Sequence, residues 1–266
     1  MIRFESVYFA YEKGKWAVEN LNFEIKKGEF VALLGSNGSG KSTIARLTDG
    51  LLLPNKGNVF VDGINSKDSP NILKSKVGIV FQNPDDQFVG TTVEEDIAFG
   101  LENLNIERKE AHRRVYEITK RLGIFRYLKS SPSMLSGGEK QKVAIAGVLA
   151  MQPDYLVLDE VTALLDPVSR KEIFNLVYTI AGESNIGVLY ITHISEEVLP
   201  VERIILISNG KKIKEGGSEE IFSDYKVLES VGVSVPAIFK VYSFLKRRKP
   251  DTSPQELSES TLLNKL

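Results

Sequence analysis

The stretch Gly35-Ser36-Asn37-Gly38-Ser39-Gly40-Lys41-Ser42-Thr43 restricts the possible folds of this chain more than any other. It follows the compact apolar run Phe30-Val31-Ala32-Leu33-Leu34 and precedes a helical pattern, Ile44-Ala45-Arg46-Leu47, so it reads as strand, loop, helix. Glycines at this spacing let backbone N–H groups turn inward around phosphate oxygens, and the helix adds the positive end of its dipole. The Lys-Ser ending completes a P-loop, with Lys41 placed to reach the β- and γ-phosphates and Ser42 to ligate Mg²⁺. A glycine-rich stretch can also be a plain tight turn. Here the flanking elements favour a nucleoside triphosphate site lined by Ser36, Asn37, Gly38, Ser39, Gly40 and Thr43.

Composition narrows what surrounds that site. A chain of 266 residues with 42% hydrophobic and 26% charged side chains is ordinary for a globular protein with a full core. A net charge of -1 and a pI near 6.2 give no electrostatic footprint for nucleic acid. Without cysteine there is no disulfide framework and no thiol chemistry, which suits a reducing compartment. Met1-Ile2-Arg3-Phe4-Glu5 does not read as a signal peptide, and no apolar run approaches the roughly 20 residues that span a bilayer. Any service to a membrane is expected from the cytoplasmic side, through a partner.

Alternation of apolar and polar residues predicts strands over Ile2 to Tyr8 and over Leu21 to Ile25, an antiparallel layer leading into the nucleotide core. Tyr8, Phe9, Tyr11 and Trp16 cluster there, and all but Tyr11 are read as packing. Further strands are expected at Val59 to Val61 and Val77 to Phe81. A helical insertion follows over about 83–152, with helices from Val93 to Leu104 and from about Glu107 to Leu122. In the second, Ala111, Val115, Ile118 and Leu122 share one face, and His112 reads as a solvated side chain. After Leu135-Ser136-Gly137-Gly138-Glu139 comes an apolar helical run, Val143 to Met151. Tyr155 to Leu158 is a buried strand ending in Asp159-Glu160, and Ile186 to Thr192 is another with His193 at its carboxyl end, where open α/β sheets hold ligands. Arg203 to Ser208 and Lys211 to Glu215 form a hairpin over Asn209-Gly210. Beyond Ser223 the chain is expected to leave the core as a separate extension, 224–266. That extension is expected to carry a helix from Pro236 to Lys246, a charged, mobile connector from Lys246 to Pro254 that opens on the basic cluster Lys246 to Lys249, and a last short helix.

An apolar strand ending in Asp-Glu is a Walker B element, whose Asp holds Mg²⁺ through water and whose Glu polarises the attacking water. Together with the P-loop and Leu135-Ser136-Gly137-Gly138, it resembles the ATP-binding cassette (ABC) ATPases over nearly the whole chain. That resemblance implies an α/β fold of P-loop NTPase type: a RecA-like parallel sheet, an antiparallel β subdomain, a helical subdomain, and a C-terminal helical extension after residue 223. It implies that Tyr11 stacks on adenine, that Gln82 is the Q-loop glutamine touching Mg²⁺ and water, that Asp166 is the D-loop aspartate and that His193 is the switch histidine. Catalysis is then expected from Lys41, Gln82, Glu160 and His193, metal binding from Ser42, Gln82 and Asp159, and cofactors ATP and Mg²⁺. In that family two cassettes face head to tail, so Ser136, Gly137, Gly138 and Glu139 of one close over ATP held by the other.

Gln82 to Gly90, Val93 to Leu101, Val143 to Met151 and the tail segment Val231 to Pro236 are similar to the ATPase subunits of energy-coupling factor transporters. These import vitamins or transition-metal ions with a transmembrane coupling subunit and a substrate-binding membrane subunit. The resemblance implies a peripheral protein on the cytoplasmic face, paired with itself or a paralogous ATPase, and an extension that holds the ATPase pair together. Phe88 and Val89, rimmed by Asp85 and Asp86, are a candidate surface for the coupling subunit, Phe88 as core of the helical insertion being the alternative. Departures stand at Glu139, where glutamine is commoner, at Lys142, where arginine is usual, at Val161-Thr162-Ala163, and at Ile194. Two other readings are a nucleic-acid machine and a module that closes on ATP without turnover. The first is opposed by the lack of a long coiled coil or a second cassette, and the second by Glu160.

Overall fold

The structure, a computed structural model, describes residues 1–248, the side chains of 243–248 excepted. It begins with β1 (Ile2–Phe9) and β2 (Val18–Ile25), paired antiparallel as their alternating patterns predict. Next come β3 (Phe30–Leu34) and α1 (Lys41–Thr48), the elements flanking the P-loop. β4 (Lys56–Val61) returns to β1 antiparallel, and β5 (Ile64–Asn65) completes a four-stranded sheet in the order β2-β1-β4-β5. After α2 (Pro70–Lys76), β6 (Val77–Val80) enters a second sheet.

The helical insertion follows as α3 (Val93–Asn103), α4 (Arg108–Arg121) and α5 (Gly137–Ala150). A capping box between Thr92 and Glu95 starts α3, satisfying N–H groups that the first turn leaves orphaned. The chain then runs through β7 (Tyr155–Asp159), α6 (Pro167–Ser184), β8 (Gly187–Thr192), β9 (Arg203–Ser208) and β10 (Lys211–Gly216). Asn209 and Gly210 both take positive φ, 48° and 73°, as a two-residue hairpin turn requires. The main sheet has the order β10-β9-β3-β8-β7-β6, with parallel pairing from β9 to β6 and only β10 antiparallel.

Both faces of this sheet are covered, which is why its strands are continuous apolar runs rather than alternating ones. On β3, Val31 and Leu33 join the core under the antiparallel sheet and α1, while Ala32 and Leu34 join the core shared with α3, α5 and α6.

The C-terminal region differs from expectation. It forms α7 (Ser218–Phe222), α8 (Tyr225–Ser230) and α9 (Ala237–Arg248), but it does not leave the core. Leu228, Val231, Val233, Phe239 and Tyr242 are buried in the same cluster as Ala32 and Leu34. The Ser234 hydroxyl stands 3.1 Å from that of Ser195, two residues past His193. A Cβ on Gly232 would lie 3.7 Å from the Cβ of Ser36 in the P-loop. Val231, Val233 and Val235 alternate in the sequence, but so short an alternation does not say what covers its apolar face, and the structure places it against this core. Lys249 to Pro254 of the expected connector and the expected last helix lie outside the described residues, as do the side chains of Lys246, Arg247 and Arg248.

Candidate nucleotide site

Parallel β3, β8 and β7 lie side by side, so whatever follows their carboxyl ends is gathered at one edge of the sheet. Those followers are the P-loop after β3, His193 after β8, and Asp159-Glu160 at the end of β7. Gly40 caps α1 with φ 101°, and a Cβ there would stand 2.6 Å from the Ala17 carbonyl, so only glycine fits.

Lys41 is buried and donates to the carbonyls of Gly35 and Ser36, both at 2.9 Å, while its ammonium pairs with Glu160 Oε1 at 3.0 Å. The other Glu160 oxygen is 2.9 Å from His193 Nδ1. Glu160 thus bridges the P-loop lysine and the histidine of the neighbouring strand. Its backbone takes φ 53°, a left-handed conformation that costs a non-glycine residue roughly 1–3 kcal/mol. The turn is held by the Glu160 N–H on the Ile191 carbonyl at 3.0 Å.

Ser42 donates to Asp159 Oδ1 at 3.2 Å. Burial raises the Asp159 carboxyl above its ordinary value, the Ser42 hydroxyl opposing this and the Glu160 charge adding to it. A buried carboxylate and a hydroxyl at hydrogen-bond distance fit a hard divalent cation completed by phosphate and water.

In front of these groups lies a pocket of about 730 Å³, lined by Asn37, Gly38, Gly40, Lys41, Ser42 and Thr43 of the loop and by Gln82 and Glu160. Its outer wall is Tyr11, Glu12, Lys15, Trp16 and Ala17 from the β1–β2 connection, closed by the Asn209-Gly210 hairpin tip. Tyr11 is exposed, touches Thr43 Oγ1 through its hydroxyl at 3.2 Å, and sets its ring edge-on to Phe9.

The signature segment stands elsewhere. Ser136 caps α5, Gly137 faces Leu165 and Gly138 faces Ser169 near the start of α6, and none of Ser136 to Glu139 lines the pocket. Asp166 caps α6, accepting from the N–H groups of Val168 at 3.0 Å and Ser169 at 3.1 Å. Met134, Leu164 and Val168 are exposed nearby, an apolar face beside Ser136 and Asp166.

The family model for ABC transporters matches residues 18–163. The energy-coupling factor transporter ATP-binding protein EcfA1 of Clostridium novyi is 42% identical over 272 aligned residues, which span 100% of this chain and 97% of that protein. The chain belongs to the ABC ATPases of energy-coupling factor transporters. Among solved structures, cbiO1 from Clostridium perfringens, part of an ABC transporter complex, is 34% identical. It covers 91% of this chain and 98% of its own, with a TM-score of 0.79. A dimeric ATP-binding cassette in a post-hydrolysis state with ADP and Pi is 30% identical, covers 82% of this chain and 99% of its own, and has a TM-score of 0.74.

Placed on this ABC ATPase, the expected site residues fall into two groups. Tyr11, Lys41, Ser42, Gln82, Asp159, Glu160 and His193 surround or back the pocket, whereas Ser136, Gly137, Gly138, Glu139 and Asp166 form a second surface. The departures have local partners: Lys142 pairs with Glu172 at 2.6 Å, and Thr162 touches the Tyr190 hydroxyl at 3.2 Å. The Phe88-Val89 patch needs correcting. Val89 is exposed, but Phe88 packs against the core, and Asp85 is tied to Lys140 at 2.7 Å instead of rimming an open apolar face.

Some residues at the site escaped the sequence reading. Trp16, read as packing, does set its ring against Tyr8, but it also lines the pocket beside Tyr11. Gly210, read only as a turn, donates to the Ser39 carbonyl at 2.9 Å and so braces the P-loop. Glu197 accepts from Tyr190 at 3.1 Å and Thr192 at 2.8 Å, fixing the loop that carries His193. The Asn-Gly dipeptide was a usable signal for the hairpin, though not for where its tip lands.

Proposed function

We propose that this ATP-binding subunit works as one of two facing cassettes that bind ATP with Mg²⁺ and hydrolyse it to drive import of a vitamin or transition-metal ion. The single observation carrying this reading is the Glu160 carboxylate held between Lys41 and His193 at the mouth of the P-loop pocket. Lys41 and the N–H groups of Ser36 to Thr43 hold the β- and γ-phosphates, and Tyr11 stacks on adenine. Ser42 and Asp159, with Gln82, hold Mg²⁺, which neutralises phosphate charge when bound. Once phosphate takes Lys41, the Glu160 carboxylate is free to orient and deprotonate water. His193 donates to the γ-phosphate as charge builds there. Ser136, Gly137 and Gly138 of the facing cassette close over that phosphate, and the exposed Met134, Leu164 and Val168 support burial of this face.

The membrane partners act on another face. A groove of about 640 Å³ between α3 and α4 is lined by the apolar Val89, Ala98, Phe99, Ile106, Ala111 and Val115 and rimmed by charged side chains that include Glu94, Glu95 and Glu102, with Val89 and Phe99 exposed. An amphipathic helix of the transmembrane coupling subunit fits this groove better than the Phe88 patch. A separate membrane subunit selects the cargo. No helix among the described residues is long and apolar enough to cross a membrane, in keeping with a peripheral place on the cytoplasmic face. Purification of the tagged protein from its native membrane, identification of what accompanies it, and ATP-driven uptake in proteoliposomes test this reading. Pure protein that recruits no membrane subunit and supports no uptake overturns it.

A further inference from the structure

Glu139 makes contacts that its neighbours in the signature do not. Ser136 Oγ receives the Glu139 N–H at 3.4 Å, and the Glu139 side chain folds back over the start of α5. One of its carboxylate oxygens accepts both the Ser136 N–H, at 2.9 Å, and the Ser136 hydroxyl hydrogen, at 2.8 Å. Its other oxygen accepts the Tyr127 phenol, and the Arg126 guanidinium stands 3.8 Å away. The Tyr127 hydroxyl first, then the Ser136 N–H and hydroxyl, hold the Glu139 carboxyl below the ordinary range. A full negative charge therefore sits at the N-terminus of α5 at neutral pH.

Two consequences follow for Ser136. A serine hydroxyl has one hydrogen to give, and in the free chain Glu139 has it. The positive end of the α5 dipole is already satisfied by the chain's own anion. A phosphate arriving at Ser136 must take that hydrogen and come to rest beside a carboxylate of like charge.

We propose that Glu139 is a positioning residue that sets the ATP concentration at which the two cassettes close, orienting Ser136 while opposing the phosphate that Ser136 caps. This rests on the reading that the signature segment covers ATP bound by the facing cassette. Gln at this position keeps the shape, and its amide oxygen still accepts the Ser136 N–H, but the charge is gone. Asp keeps the charge on a shorter stem.

The test uses the native assembly purified through a tag on this chain, with ATPase rate measured against ATP concentration at low and high salt. Glu139→Gln is expected to lower KM for ATP about tenfold at low salt, with kcat changed less, because like charges across an interface oppose association. At high salt the advantage should shrink, since screening weakens repulsion between charges near solvent. Glu139→Asp should show no such gain. A KM unchanged or raised by Glu139→Gln, or a gain that is the same at both salts, overturns the proposal. Full turnover with unaltered KM in Ser136→Ala overturns the underlying reading of the signature segment as well, so the two failures are told apart.

Discussion

Replacing Glu160 by Gln changes three quantities, and the structure predicts a fall in two and a rise in the third. In the free chain the Glu160 carboxylate is the counter-ion of a nearly inaccessible ammonium, Lys41, at 3.0 Å. At an effective dielectric constant near 20, a pair at that distance is worth about 5 kcal/mol of gross attraction, from which desolvation of both groups subtracts most. In Glu160→Gln the amide oxygen can still accept from Lys41, but the ammonium keeps no counter-charge beside its two carbonyl partners. The free protein should therefore lose about 1–3 kcal/mol of stability, the usual penalty for stranding a buried charge-assisted bond. Nucleotide restores the missing anion without first having to displace Glu160, so triphosphate affinity should rise about tenfold or more. Turnover should fall by about 10² to 10⁴, since an amide cannot accept the water proton. Thermal melts of the free and nucleotide-saturated variant, fluorescent-nucleotide titration and phosphate release measure the three quantities. A variant that melts like the parent when free, binds nucleotide more weakly, or hydrolyses ATP within tenfold of the parent would refute the counter-ion role, the displacement or the base assignment respectively.

Tyr11→Ala should weaken ATP binding about tenfold, because an aromatic ring stacked on a base contributes about 1 to 3 kcal/mol, and unchanged affinity in a folded variant would make the ring mere packing. Asp49, buried just after α1, has its carboxyl raised from 3.8 to about 6, mainly by burial against the opposing Leu51 N–H. A folded-state value above the unfolded one means that ionisation costs stability, so stability should fall as pH rises from about 4 to 6 and stay lower above. Asp49→Asn should then stabilise by up to about 3 kcal/mol at pH 8 and by almost nothing below pH 4, and a pH-independent difference in denaturant melts would contradict this. Phe99→Asp, in the groove between α3 and α4, should leave ATP binding intact while abolishing recovery of the membrane subunit on pull-down and uptake in proteoliposomes. Normal assembly of that variant would place the docking surface elsewhere.

What was legible in the sequence was local in sequence. The P-loop, the Asp159-Glu160 strand end and the Asn209-Gly210 turn each reside in a few consecutive residues, and their flanking periodicities named the strands and helices that carry them. The burial of the C-terminal region was not legible, because the alternation of Val231, Val233 and Val235 and the spacing of Phe239 and Tyr242 mark apolar faces without saying that the nucleotide core, distant in sequence, is what covers them. The sequence leaves Phe88 open between surface and core because it sits in a loop, where only the packing around it decides which way it points, and here it packs against the core. Trp16 shows the converse. Its partner Tyr8 is near in sequence and the pairing was foreseeable, but the P-loop opposite it comes from another sheet.

The polar contacts of the free chain follow a rule that motif matching does not state. Glu160 pairs with Lys41, the group proposed to hold phosphate, and Glu139 accepts the hydroxyl of Ser136, the group proposed to cap the facing cassette's phosphate. Each recognition group is thus satisfied by a carboxylate of its own chain, which keeps a buried ammonium and a helix N-terminus from standing unpaired while no nucleotide is bound. Affinity for ATP is then the difference between two anions competing for the same donors, not the sum of the contacts ATP makes. The effects of Glu139→Gln and Glu160→Gln on ATP affinity should therefore include the contact each carboxylate gives up, which a count of the contacts ATP makes leaves out, whereas the fall in turnover of Glu160→Gln arises in the hydrolytic step.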